Sequence, residues 1–215
     1  MVNKMKHVEG VITKETKLLG RKEILIKHMT GKILDIGCGE GELLIKSTLL
    51  GYDITGIDAS LEEIETAKET AKLSNANIKI LHKNLENLDF EKESFDTIIM
   101  GEVIEHFLYP KEIIEYVLQF LKPNGKLLIT TPSGFAHPDA DHKSFFFTDK
   151  ALNLINKYWI FDFLPAMWLR IHTIYNINDL LNKLQNVKTT LEEIEYGDSQ
   201  HPSLDLFIII NRCDK

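Results

Sequence analysis

The sequence has only two cysteines, Cys38 and Cys213, and neither belongs to a pair or cluster with metal-ligand spacing. No disulfide framework and no thiolate metal site is implied. No apolar run approaches the 18 or more residues that a membrane-spanning helix needs, so no membrane span is expected. The start, MVNKMKHVEG, has basic residues but no apolar core behind them, which argues against a secretory signal and for a cytoplasmic protein. Positive charge is also short, because the formal net charge is −7. That balance disfavours a general nucleic-acid binder, which needs a basic surface for phosphates, although it leaves room for a local basic groove. Internal repeats and low-complexity tracts are missing too. With 44% apolar and 27% charged residues over 215 positions, the composition is that of one ordinary globular domain.

What is present is an alternation of short apolar runs with longer amphipathic stretches. Residues 14–29, KETKLLGRKEILIKHM, have roughly helical spacing broken by Gly20, and are expected to form one helix or two short ones. KILDI (32–36), DITGID (53–58), NIKIL (77–81), FDTIIM (95–100) and KLLITTP (126–132) read as strands. Between them lie helix-like segments at 40–50, from Ser60 onward with Glu63 completing a capping box, and from Pro110 onward. Strands alternating with helices predict right-handed βαβ units and a mostly parallel sheet. After Pro132 the pattern loosens. Residues 133–147 read as a polar, then aromatic loop, and Thr148 can cap a helix through about Lys157. The stretch 158–175 is dense in aromatics and fits no single element. NINDLLNKL reads as a short helix, and TLEEIEY and LDLFIII as two final antiparallel strands.

The first strand runs into glycines spaced G-x-G-x-G at Gly37, Gly39 and Gly41, with Asp35 ahead of them. Glycines between a strand and a helix let a ligand approach the backbone, and the dinucleotide version, G-x-G-x-x-G, places a pyrophosphate at the helix start. A carboxylate at position 35 would repel a phosphate but suits a ligand with an amino group. Asp58, ending the second strand, can accept hydrogen bonds from ribose hydroxyls, a device shared with NAD sites. Together the two aspartates favour S-adenosylmethionine, a nucleoside with a cationic amino-acid tail and no phosphate. Each residue also has a plainer explanation. The glycines suit any tight turn, Asp58 suits a solvated strand end, Cys38 suits a small buried filler, and Asp96 suits a structural role at the start of the fourth strand.

ILDIGCGEGEL with GIDAS, then SFDTIIMGEVIEHF, then LKPNGKLLITTP, resembles class I S-adenosylmethionine-dependent methyltransferases over residues 30–132. The resemblance implies that Asp35, Gly37 and Gly39 surround the methionine portion, with Cys38 also among the cofactor-binding residues, and that Asp58 holds the ribose hydroxyls. It also places Ala59 and Ser60 along the adenosine and Asn84 and Leu85 beside the adenine, and counts Gly101 among the cofactor-binding residues. Many family members have aspartate where Asn84 stands; an amide oxygen can still accept from the adenine amino group.

Glu102, Glu105 and His106 follow the fourth strand, where parallel sheets place their ligands. On one helical turn, positions i, i+3 and i+4 share a face, so two carboxylates and an imidazole would converge and suit Mg2+ or Mn2+. E-x-x-E-H here resembles the ubiquinone-biosynthesis O-methyltransferases and the small-RNA 2′-O-methyltransferases. The second group implies a fourth ligand from HPDADHKSFFFT, either His142 or His137. Without a metal, His106 can act as general base, or Glu105 and His106 can merely pack beneath the cofactor.

The expected architecture is a Rossmann-like α/β domain: a mostly parallel seven-stranded sheet, helices on both faces and an antiparallel last strand. Its segments are an N-terminal helical cap (1–30), a cofactor-binding core (31–132), a substrate-side loop and helices (133–185) and final strands (186–215). The expected reaction is methylation of an oxygen on a small-molecule acceptor. The aromatics from Phe145 to Tyr175 could wall its pocket, fill a core or meet a second copy in a homodimer. The rivals are an RNA ribose methyltransferase, a nucleotide-binding oxidoreductase and a catalytically silent cofactor-binding subunit.

Overall fold

The computed structural model describes residues 11–16, 18, 20–133, 141–149, 152, 173–197 and 202–213. Its main sheet has seven strands: β1 (Lys32–Ile36), β2 (Asp53–Asp58), β3 (Lys79–His82), β4 (Phe95–Gly101), β5 (Leu121–Pro132), β8 (Val187–Gly197) and β9 (Pro202–Arg212), in the order β3-β2-β1-β4-β5-β9-β8. Neighbours are parallel except β9, which runs antiparallel to both β5 and β8. This is the sheet that the alternating pattern predicts.

Both faces are covered, which explains why the central strands read as continuous apolar runs. Leu34 and Ile36 of β1 point to one layer, with Ile98 and Met100 of β4, Ile114 and Val117 of α4 (Pro110–Leu118) and Leu180 and Leu181 of α5 (Ile177–Asn182). Ile33 points to the other, with Leu25 of α1 (Arg21–His28), Leu43 and Leu44 of α2 (Glu42–Leu49), and Ile99. The helix α3 (Leu61–Leu73) begins at Ser60, whose hydroxyl accepts from the Glu63 amide at 3.3 Å.

Three expectations are corrected. Helix α1 starts at Arg21, not near residue 14. Lys46, 5% exposed, donates to the carbonyls of Thr13, Lys14 and Thr16, and so draws the preceding chain into a strap over α2. Strand β5 begins at Leu121, not at Lys126, because residues 122–125 lie inside it: Phe95 pairs with Leu121 and Thr97 with Lys126. Part of the expected loop at 133–147 is a strand, β6 (Ser144–Phe147), which pairs in parallel with β7 (Thr173–Asn176) as a separate small sheet. All four β6 residues are buried, which favours a paired strand over a solvated loop. Thr148 starts a helical turn, with its carbonyl accepting from Leu152 at 2.9 Å. The rest of that expected helix and the aromatic stretch through residue 172, with any pocket wall or homodimer contact there, lie outside the described residues. Among the described residues no helix is long and apolar enough to cross a membrane.

Gly41 shows how tightly the first turn is built. It is left-handed, φ 77°, and a Cβ there would lie 2.8 Å from the Cβ of Ala67 on α3. Gly41→Ala is expected to destabilise the protein by about 2 kcal/mol, read as a lower urea midpoint at unchanged slope.

Candidate active site

Strands β1, β2 and β4 end side by side, and a cavity opens past their C-terminal ends. Gly37, the first residue of the β1–α2 loop, lies on its wall. The amides of Gly37 and Cys38 both donate to the Ile57 carbonyl, at 2.9 and 3.0 Å. Asp58 ties two loops together: one carboxylate oxygen accepts from the Gly39 amide and the other from the Ser60 amide, each at 2.8 Å. Gly37 has φ 69°, and a Cβ there would sit 2.6 Å from Val103, so glycine lets the wall after β4 close onto the loop. Gly39 differs, because a Cβ there would meet nothing nearer than Glu63 at 3.8 Å.

The far wall is the turn Leu85–Asn87, whose cap is Asn84; its side-chain oxygen accepts from the Glu86 amide at 3.0 Å. The Tyr116 hydroxyl holds the end of this turn, accepting from the Leu88 amide at 3.0 Å and donating to the Leu88 carbonyl at 3.3 Å.

The acidic end of the site is strained and poorly solvated. Glu102 adopts φ 58°, a conformation that costs a non-glycine residue roughly 1–3 kcal/mol and clusters at functional sites. Its carboxylate faces Arg21 of α1 at 3.3 Å, and the same guanidinium reaches the fully buried Asp205 of β9 at 3.1 Å. Glu105 is 1% exposed, accepts from the Thr131 hydroxyl at 3.1 Å, and leaves its other oxygen without a partner among the described residues. Burial pushes both glutamates well above the usual carboxylate range, and for Glu105 the neighbouring Glu102 adds to it. Glu105, His106 and His142 bring one ligand atom each within 4.8 Å of one another. The two imidazoles meet edge to face, with centroids 5.1 Å apart.

The sequence model of a methyltransferase domain matches residues 27–191. The chain belongs to this methyltransferase-domain family. It is 38% identical over 100 residues to the ubiquinone biosynthesis O-methyltransferase of Rickettsia akari, a match covering 46% of this chain and 39% of that protein. The mitochondrial counterpart of Schizosaccharomyces pombe is 37% identical over 105 residues, 47% and 38% of the two chains. The matched region thus spans well under half of these relatives. Among solved structures, a SAM-dependent methyltransferase of Methanosarcina mazei superposes with a TM-score of 0.62 at 22% identity, covering 89% of this chain and 98% of that one. The YcgJ protein of Bacillus subtilis gives 0.63 at 14%, covering 90% and 98%. These two show the shared fold.

Within this methyltransferase domain the cavity is lined by Gly37, Asp58, Ala59, Asn84, Leu85, Glu102 and His106 among the residues expected from sequence. Asp35, Cys38, Gly39 and Gly101 are not on its wall. Asp35 is buried beneath the loop at 3% exposure, and one of its oxygens has no partner among the described residues. Cys38 packs against Gly56, where a Cβ would lie 2.8 Å from its sulfur, and burial pushes its thiol pKa up, as suits a filler. Gly101 faces Thr130 and Leu25. The helical face proposed for Glu102, Glu105 and His106 does not form. Val103 has φ −126° and ψ −44°, and only the short 3-10 turn Ile104–His106 follows it. Glu102 therefore stands apart at the ion pair with Arg21, and His142 takes the third place beside Glu105 and His106; His137 lies outside the described residues. Besides the strand-end residues Ile36 and Ile57, sequence reasoning missed Lys83, Val103 and Phe107 on the wall. Their only signal is position, directly after β3 and within the segment between β4 and α4.

Proposed function

We propose that this domain transfers the methyl group of S-adenosylmethionine to an oxygen of a small-molecule acceptor. The observation that carries the reading is the cavity itself, with Asp58 at one side and His106 at the other, above a glycine loop and a buried aspartate that lacks one partner. The residues fit the cofactor chemically. Asp58, on the cavity wall, retains lone pairs for ribose hydroxyls, and Asp35, buried beneath the loop, has an oxygen without a partner among the described residues that suits an ammonium. The relatives named for ubiquinone biosynthesis support oxygen as the methylated atom.

In the transfer, an acceptor oxygen forms a bond to the methyl carbon as the carbon–sulfur bond breaks, and the sulfonium becomes a neutral thioether. The protein's share is alignment and removal of the acceptor proton. His106 is the base in this reading. Its Nδ1 lies 3.3 Å from the Asp141 carbonyl, which can only accept, so Nδ1 carries hydrogen and the lone pair is on Nε2.

A second reading is supported by the group Glu105, His106 and His142. One carboxylate and two imidazoles fit a borderline divalent ion such as Mn2+ better than Mg2+, and the free oxygen of Glu105 supplies a donor. Such an ion would lower the pKa of a bound acceptor hydroxyl. Because Nδ1 is engaged, Nε2 can serve as base or as ligand but not both.

Methyl transfer from labelled S-adenosylmethionine into a cell extract, with and without chelator, should place label in the small-molecule fraction. Label confined to RNA moves the acceptor to ribose. Calorimetry showing NADH binding and no S-adenosylhomocysteine binding would sink the reading altogether.

A further inference from the structure

The small sheet β6–β7 has no place in the seven-stranded plan, yet it holds the segment that carries His106 at several successive points. The Lys143 amide donates to the Glu105 carbonyl at 2.7 Å, the Ser144 hydroxyl to the Phe107 carbonyl at 2.5 Å, and the Tyr175 hydroxyl to the Leu108 carbonyl at 2.5 Å. The His106 ring meets the Asp141 carbonyl, two residues before the first of these donors. Three carbonyls around His106 are thus fixed from one side by β6 and β7 or the residue before β6. The same stretch provides the acceptor that sets the imidazole's tautomer.

A 3-10 turn closed by two amide bonds, His106 to the Val103 carbonyl and Phe107 to the Ile104 carbonyl, each at 3.2 Å, does not fix a side chain by itself. Ser144 is 1% exposed, so its hydroxyl has no water to turn to, and the bond to Phe107 is the one that burial enforces. Tyr175 stacks on Phe146, centroids 5.8 Å apart and planes at 24°, which aims its hydroxyl across to Leu108. Phe107 and His106 line the cavity themselves. Any shift of this segment would therefore move the reacting side of the site while leaving Asp58 and the glycine loop in place.

We infer that Ser144 and Tyr175 are positioning residues: acting through the Phe107 and Leu108 carbonyls, they hold His106 with Nδ1–H on the Asp141 carbonyl and Nε2 free for the acceptor. This rests on the reading of His106 as the acceptor-side group. The small sheet then works as an orienting platform, which makes the β4–α4 connection rigid where a parallel-sheet enzyme needs accuracy.

The test is the tautomer of His106, read from nitrogen–proton correlations in histidine-labelled protein with chelator present. The wild type should show the Nδ1–H form. Ser144→Ala combined with Tyr175→Phe should convert most of it to the Nε2–H form that histidine prefers in water, with S-adenosylhomocysteine affinity changed by no more than about twofold. If the double variant does not fold, Tyr175→Phe alone decides, since it keeps the stacked ring and removes only the hydroxyl. An Nε2–H form in the wild type, or an unchanged Nδ1–H form in a folded variant, overturns the inference. His106→Asn, assayed for methyl transfer into extract, tests the underlying reading separately: unchanged turnover removes His106 from the chemistry without altering the tautomer result.

Discussion

Asp58→Ala is expected to weaken S-adenosylhomocysteine binding by roughly 100-fold or more, about 3 kcal/mol. The size follows from the side chain's double duty. Its two oxygens already accept from the Gly39 and Ser60 amides at 2.8 Å, and so fix the glycine loop against the start of α3. Hydrogen bonds to an ionised acceptor contribute roughly 1.5–3 kcal/mol each, and alanine removes them together with any bond to the ribose. Part of the loss should appear without ligand, as a lower unfolding midpoint, and part only in the calorimetric affinity. Asp58→Asn separates the two. It keeps one acceptor oxygen but places an NH2 group against an amide N–H on the other side, so the loop is partly held while ribose recognition suffers. Affinity for the alanine variant within threefold of wild type would remove Asp58 from the cofactor site.

Much of this site is legible because it is local. KILDI and DITGID read as strands since both faces of each are buried, and the glycines after β1 end it without ambiguity. Asp58 and Ser60 are two positions apart, so their cap and carboxylate can be inferred together. The rest depends on contacts distant in sequence. Arg21 meets Asp205 across 184 positions, and nothing near either residue announces the pair. Four consecutive buried residues, Ser144–Phe147, give no alternation to betray a strand, and their partner begins at Thr173. Nor does a polar signal mark the strap before α1, because its cause is Lys46, a residue that helix periodicity would place among apolar neighbours. The motif Glu102–Glu105–His106 shows the limit from the other side. Its residue types point to a charged site, but a helical face is the wrong premise once Glu102 takes a left-handed conformation.

Asp35→Asn should have two opposite effects, stabilising the protein without ligand and weakening its cofactor binding. Asp35 is 3% exposed with one oxygen unpartnered, and burial lifts its pKa from 3.8 to about 7; Lys22 opposes the shift and Asp58 adds to it. A carboxyl raised in the folded state keeps a proton that the unfolded chain gives up. Its contribution to stability is therefore complete below pH 3.8 and is lost as pH rises through about 7. That loss amounts to up to about 4 kcal/mol above neutrality. An asparagine cannot ionise, so the variant should escape it, and its urea midpoint should exceed the wild type's at pH 8 but not at pH 4. An ammonium brought by the cofactor would make the ionised form of Asp35 favourable instead. Wild-type binding of S-adenosylhomocysteine should then release close to one proton near pH 6 and none well above pH 7, measurable by calorimetry in buffers of different ionisation enthalpy. Asp35→Asn should release none and bind at least tenfold more weakly, about 1.4 kcal/mol. Equal affinity with no proton release in either protein would mean that the buried carboxyl supports the loop alone, and that the amino group of the ligand is met elsewhere.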